Sequence, residues 1–198
     1  MENAKARKLS NLQERKLLKL LKNAKLIGNG SSRLVFIDPR NDNRVVKVAI
    51  GANALCQNKL EVKLWNDTQD SHLAQIFEYG KFIVVMERMM ETYDEDSFND
   101  GYDSNSENRE FFKLGDEVVN WLTIKLGCTS DNYQIGLNAN DEWKAYDYGF
   151  NSDISAREQC GEARWMGTKE FRSFLDEMER LVRFHRPITE IQHFIQEE

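Results

Sequence analysis

One lysine, Lys47, stands inside an otherwise apolar run from Val45 to Ala49. A lysine between two valines of a buried strand must find an anion, because burying an unpaired ammonium costs several kcal/mol. Glu61 is the obvious protein partner, since it lies among leucines spaced four residues apart, as on one face of a helix. Taken singly, each residue has a simpler interpretation: a strand lysine whose ammonium reaches water, and a solvated helix glutamate.

Two glycines separated by one residue, Gly28 and Gly30, precede this lysine. Glycine lets the backbone turn tightly and lie close to phosphate oxygens, to which backbone N–H groups donate. A Gly-x-Gly pair alone more often marks a plain hairpin turn. The order of glycine pair, lysine and glutamate is therefore more informative than any one of these residues.

The elements that must position these residues follow from the spacing of apolar side chains. Helical spacing predicts four helices and a short last one, over about residues 10–24, 53–67, 111–126, 168–185 and 188–195. Strands are predicted on both sides of the glycine pair and around Lys47, with turn residues at 38–43. Two further hairpins are predicted within residues 73–89 and 133–146. Strands and helices together indicate an α+β fold.

Together these residues resemble the N-terminal lobe of a protein kinase. The resemblance rests on the glycine loop, the lysine strand and the helix glutamate: Gly28, Gly30, Arg33, Val35, Val45, Val46, Lys47 and Glu61. In that family the lysine holds the α- and β-phosphates of ATP and pairs with the glutamate. Arg33 stands where the family has a third glycine, which is a mild departure.

The resemblance continues into the two later hairpins. The first ends at Glu87 and matches the hinge that grips adenine, which implies that Met86 is the gatekeeper and that the backbone from Glu87 to Met89 meets the adenine edge. The second leads into Asp147-Tyr148-Gly149, which resembles the Asp-Phe-Gly element. In the family that aspartate holds Mg²⁺ against the phosphates, so ATP and Mg²⁺ are the implied cofactors.

The loop before the second hairpin departs from the family, which carries a catalytic aspartate there and an asparagine five residues later. If Asn132 is the metal-binding asparagine, the aspartate position falls on Gly127; without a gap, Gln134 and Thr129 take the two positions. Asp131 is the only carboxylate of the loop and is our candidate to orient a substrate hydroxyl, because phosphoryl transfer depends mainly on positioning and charge. The alternative is that Asp131 and Asn132 only turn the chain.

The resemblance covers about residues 26–150 and is to minimal kinase-like proteins of bacteriophages and bacterial effectors. It implies an antiparallel-sheet N-lobe and a reduced, mainly helical C-lobe in one domain, divided into helix 1–25, N-lobe 26–90, acidic loop 91–110 and C-lobe 111–198. It implies transfer of the γ-phosphate of ATP to Ser or Thr, usually of a host protein. The alternative is a pseudokinase or nucleotide-binding module that regulates a partner protein without catalysis.

Composition limits the class of protein. A chain of 198 residues, 40% hydrophobic and 30% charged, suits one folded domain. The net charge of −6 argues against nonspecific nucleic-acid binding. No apolar run reaches the roughly 20 residues that span a bilayer, and the N-terminus lacks the core of a secretory signal, so we expect a cytoplasmic protein. Three widely spaced cysteines, Cys56, Cys128 and Cys160, predict free thiols.

Two segments of biased charge leave alternatives open. The first 25 residues are rich in lysine and leucine, so their predicted helix either lies on a membrane or nucleic acid or packs its leucines on the N-lobe. Residues 91–110 are dense in Asp, Glu, Asn and Ser, which predicts an exposed and partly disordered loop beside the cleft. That loop either selects basic substrates or has no function. The sequence does not predict the oligomeric state.

Overall fold

The computed structural model describes residues 4–29, 33–50, 52–93, 109–126 and 134–148, together with the helical positions Asp176 and Arg180. Within these ranges the chain is a mixed α+β fold with three helices and two sheets. The predicted helices at 168–185 and 188–195 lie outside the described residues, apart from the two positions named.

The larger sheet has six strands. These are β1 (Arg7–Lys8), β2 (Leu26–Asn29), β3 (Arg33–Ile37), β4 (Arg44–Ala49), β5 (Ile76–Tyr79) and β6 (Ile83–Glu87). Their order across the sheet is β1-β5-β6-β4-β3-β2, and every neighbouring pair is antiparallel except β1 with β5. Valine and isoleucine dominate β4 and β6, as a buried pleated surface favours.

Helix α1 (Asn11–Leu21) covers one face of this sheet. It begins at Ser10, whose side chain and that of Gln13 cap each other's backbone N–H groups. The apolar stripe of the helix joins the core formed by alternate residues of β3, β4 and β6: Leu17, Leu18, Leu21, Leu34, Phe36, Val46, Val48, Ile83 and Val85. Leu17, Leu18 and Leu21 therefore pack on the sheet, as the second of the two predicted alternatives has it, whereas Leu12 and Leu20 are exposed.

Glu14 is the buried polar residue of α1. Its carboxylate accepts the backbone N–H groups of Lys81 at 3.1 Å and Phe82 at 2.7 Å, which closes the turn between β5 and β6. A Cβ on Gly80 would overlap this carboxylate, so a larger residue there would have to displace the side chain of Glu14. The helix and the turn are thus fixed to each other through one side chain.

Glu14→Ala is expected to destabilise the protein by about 1.5–3 kcal/mol, since hydrogen bonds to a charged group contribute about that much. Chemical denaturation measures the loss. Arg15→Ala, an exposed position on the same helix, is the control and should stay within about 0.5 kcal/mol of the wild type. Equal stability of the two variants would contradict the capping assignment.

Helix α2 (Ala52–Thr68) lies against the opposite face of the sheet. Trp65 is its largest buried side chain, and its indole N–H donates to the carbonyl of Ala4 at 3.3 Å. Asn66 accepts the N–H of Ala6 at 2.8 Å, and the N–H of Leu9 donates to the carbonyl of Tyr79 at 2.7 Å. The segment before α1 therefore holds α2 and β5 together.

The smaller sheet has three antiparallel strands, β7 (Glu91–Tyr93), β8 (Ile135–Leu137) and β9 (Trp143–Ala145), in that order. Helix α3 (Arg109–Leu126) packs on it through Val118 and Leu122. One hydrophobic core joins the two sheets, α2 and α3.

The prediction of an acidic loop over residues 91–110 is wrong at both ends of that range. Residues 91–93 form β7, which pairs with β8, and α3 starts at Arg109. Residues 94–108 lie outside the described part of the chain.

Two further findings concern the state of Cys56 and the apolarity of the helices. Cys56 is buried and disulfide-bonded, so the prediction of three free thiols is wrong. Among the helices that the structure describes, none has the length and apolarity to cross a membrane.

Candidate functional site

A cavity of about 520 Å³ opens between the face of the larger sheet that carries Lys47 and the end of β9. Its volume falls within the range of about 300–1,000 Å³ typical of small-molecule sites. Its apolar walls include Ile27, Val35, Val45 and Met86. Charged side chains from β3, β4 and the segment after β9 lie at one end.

Lys47 reaches this cavity because of the alternation of β4. Val46 and Val48 face α1, so Lys47 points to the opposite face, directly beside Val35 of β3. Its ammonium donates to Glu61 Oε1 at 3.0 Å and to the carbonyl of Tyr146. The predicted lysine–glutamate pair is thus present. Burial lowers the pKa of Lys47, an effect that the carboxylate of Glu61 opposes.

Glu61 is the shared anion of the site. It projects from α2, is fully buried, and accepts from Lys47 and from Arg33 through the same oxygen, the latter at 2.8 Å. Its other oxygen, Oε2, has no hydrogen-bond partner among the residues that the structure describes. The helix turn before it is held by Asn58, whose amide donates to the carbonyl of Phe82 at 3.1 Å.

Arg33 belongs to the site, although the sequence pattern did not predict a binding function for it. It is 6% exposed, and its guanidinium forms ion pairs with both Glu61 and Asp147. These carboxylates raise the pKa of Arg33 despite its burial, which acts the other way. A signal was present, because Leu34 and Phe36 are the apolar side of β3, and alternation then places residue 33 on the side of Lys47.

Asp147 follows β9 and lies at the charged end of the cavity. Its position is fixed by its neighbours: the N–H of Tyr146 donates to Gln134 at 3.0 Å, and the hydroxyl of Tyr148 to Ala74 at 3.0 Å. Burial alone would raise the pKa of Asp147, but the charges of Lys47 and Arg33 hold it below its ordinary value. Asp147 is therefore an anion in this site.

The predicted hinge also contributes to the lining of the cavity. Met86, Glu87 and Met89 all line the cavity. The N–H of Glu87 donates to the carbonyl of Gln75 at 2.8 Å, and the N–H of Met90 donates to the carbonyl of Leu137 at 2.7 Å. Met89 lies between these two anchored residues. The carboxylate of Glu87 points into the structure, where it accepts from Asn138 at 2.8 Å and from the N–H of Gln75 at 3.1 Å. Both the side chain and the N–H of Glu87 are thus bonded within the protein, and the predicted contact of the hinge backbone with adenine stays a prediction.

The structure brings most of the predicted residues to one cavity. Those that line it are Gly28, Val35, Lys47, Glu87, Met89 and Asp147, with Glu61 behind Lys47. Gly30, Asp131 and Asn132 lie outside the described residues, so their predicted functions stay predictions.

Mg²⁺ does not fit the described part of this arrangement. The carboxylate of Asp147 already has a cationic partner in the buried guanidinium of Arg33. In the part of the chain that is described, no three His, Cys, Asp or Glu side chains form a group able to hold a metal ion.

No protein-family model matches this chain, and no curated protein matches it either. The function of the cleft is therefore inferred from its own residues and contacts.

Proposed function

We propose that this protein is a minimal protein-kinase-like phosphotransferase that binds ATP in the cavity. One observation carries the proposal. Lys47, Glu61 and Asp147 come from a strand, a helix and the end of a hairpin. Lys47 and Asp147 line one cavity, and Glu61 binds Lys47 from behind. Their arrangement supports the phosphate-binding chemistry expected from the resemblance.

The two ends of the cavity suit the two ends of a nucleotide. Lys47 and Arg33 place cationic donors beside Asp147, where the phosphates would lie. Val35, Val45 and Met86 offer apolar contact to a base, and the backbone of Met89 would provide its hydrogen bonds. These features support ATP rather than a small inorganic anion.

In the proposed reaction a serine or threonine hydroxyl of a protein attacks the γ-phosphorus of ATP. A new phosphorus–oxygen bond forms, the bond to the bridging oxygen of ADP breaks, and the hydroxyl proton is released. Lys47 stabilises negative charge on the phosphates, and Glu61 holds Lys47 in place. Asp131 is the proposed residue that orients the hydroxyl.

A second candidate function is a nucleotide-binding regulator of a partner protein without phosphoryl transfer. The observation that favours it is the ion pair of Arg33 with Asp147, which occupies the carboxylate that catalysis with a metal would require. Both candidates share the ATP site and differ only in turnover.

Binding and turnover should therefore be measured on the same purified protein. ATP at 100 times its Kd is expected to stabilise the fold by about 2.7 kcal/mol, seen as a thermal shift. Incubation with ATP labelled at the γ-phosphate should label the protein itself or an added protein substrate. Asp131→Asn is expected to lower this transfer while leaving the thermal shift unchanged.

The outcomes separate the candidates. A thermal shift with no transfer under any metal condition supports the regulator. The absence of any shift with ATP would contradict both candidates.

A further inference from the structure

We propose that Arg33 is the built-in cation of the nucleotide site, so that ATP binds here without a divalent metal. This inference rests on the proposed ATP site and assigns a binding function to a residue that is not part of the predicted site. It follows from the observation that the described residues do not fit a Mg²⁺ ion.

The guanidinium bridges two carboxylates. One terminal nitrogen of Arg33 donates to Glu61 at 2.8 Å and the other to Asp147. Glu61 and Asp147 thus lie on neighbouring nitrogens of one planar group, where two carboxylates without a cation between them would repel. Arg33 supplies the positive charge that a metal ion would otherwise supply to Asp147.

The charges of the cluster are balanced before any ligand arrives. Lys47 and Arg33 carry the positive charges, and Glu61 and Asp147 the negative ones. A Mg²⁺ ion at Asp147 would have to share the carboxylate with the buried guanidinium of Arg33, which bonds one of its oxygens. The ion and the guanidinium are both positively charged, and their proximity is unfavourable.

Arginine is also suited to the phosphates themselves. Its fork of N–H donors matches phosphate oxygens, and its charge persists at all ordinary pH values. Arg33 lines the cavity together with Lys47 and Asp147. A nucleotide would therefore meet two fixed cationic donors on adjacent strands, β3 and β4.

The affinity for ATP should be measured by calorimetry with EDTA and again with excess Mg²⁺. The two dissociation constants are expected to agree within about threefold, a small free-energy difference. An affinity at least tenfold higher with Mg²⁺ would overturn the inference and leave the proposed function intact. Failure of ATP to bind under either condition would overturn both.

Arg33→Gln tests the assignment directly. In EDTA its affinity for ATP is expected to fall about tenfold or more, because a charged donor is lost. Mg²⁺ should raise the Tm of the free variant, since Glu61 and Asp147 have lost their common cation, but not the Tm of the wild type. Arg44→Gln is the matched control: Arg44 lies over the ring of Phe77 and should show neither effect.

If Arg33→Gln does not fold, Asp147→Asn decides the question. With Arg33 as the cation, this variant keeps its affinity for ATP in EDTA, because the guanidinium stays in place and is freed from one carboxylate. Loss of ATP binding in Asp147→Asn in EDTA would overturn the inference. Where Arg33→Gln does fold, a wild-type Tm that rises with Mg²⁺ as much as that of Arg33→Gln would also overturn it.

Discussion

Glu61→Ala is expected to destabilise the protein by about 3–5 kcal/mol, because removing one partner of a buried ion pair leaves the other charge uncompensated. Here the effect falls on two cations at once, since Lys47 and Arg33 share the same carboxylate oxygen. At an m-value of about 2 kcal/mol per molar urea, the midpoint of unfolding should fall by roughly 2 M.

Two further variants identify the cause of that loss. Glu61→Gln keeps the shape of the side chain and removes its charge, so it should show most of the same destabilisation. Asp67→Ala breaks an exposed pair with Lys63 on the same helix and should cost no more than about 0.5 kcal/mol. If Glu61→Ala proved as stable as Asp67→Ala, the carboxylate of Glu61 would not be the anion that stabilises Lys47 and Arg33 beside the cavity.

Lys47→Met is expected to lower phosphoryl transfer about 10²–10³-fold, the usual effect of removing one positioned electrostatic group. Its ATP affinity should also fall about tenfold or more, since a hydrogen bond to a charged phosphate is lost. The fold should survive, because Glu61 keeps Arg33 as its partner and methionine fills a similar volume. Transfer from labelled ATP and calorimetric titration measure the two effects.

Lys63→Met is the control for this variant, because Lys63 is an exposed lysine on α2, away from the cavity lining. It should match the wild type in both measurements. Unchanged transfer in Lys47→Met would remove Lys47 from the proposed reaction.

The local pattern of apolar residues was sufficient to predict much of the larger sheet. The apolar runs around Lys47 and before Glu87 predicted strands that the structure contains, and the leucine spacing near Glu61 predicted α2. The partnership of Lys47 with Glu61 was predictable for a different reason. A buried ammonium needs an anionic partner, and Glu61 was the obvious carboxylate on the predicted helix.

Interactions between distant parts of the chain were harder to predict. Arg33 reaches Asp147 across 114 positions, and nothing near either residue indicates the other. Glu14 lies on a lysine-rich helix, and nothing near it in the sequence indicates that the turn at Gly80 brings two N–H groups to it. Strand β7 lies in a segment whose composition favours a loop, and pairing with β8 overrides that preference.

The attachment of the first strand and helix to β5 also bears on the order of folding during synthesis. Arg7 pairs with Glu78, and Glu14 binds the N–H groups of Lys81 and Phe82, so their partners lie about seventy positions later in the chain. At about 5–20 residues per second, the ribosome needs several seconds to make that interval. During that time the leucine stripe of α1 can cover only β3 and β4, and its apolar surface stays partly open until β6 is made.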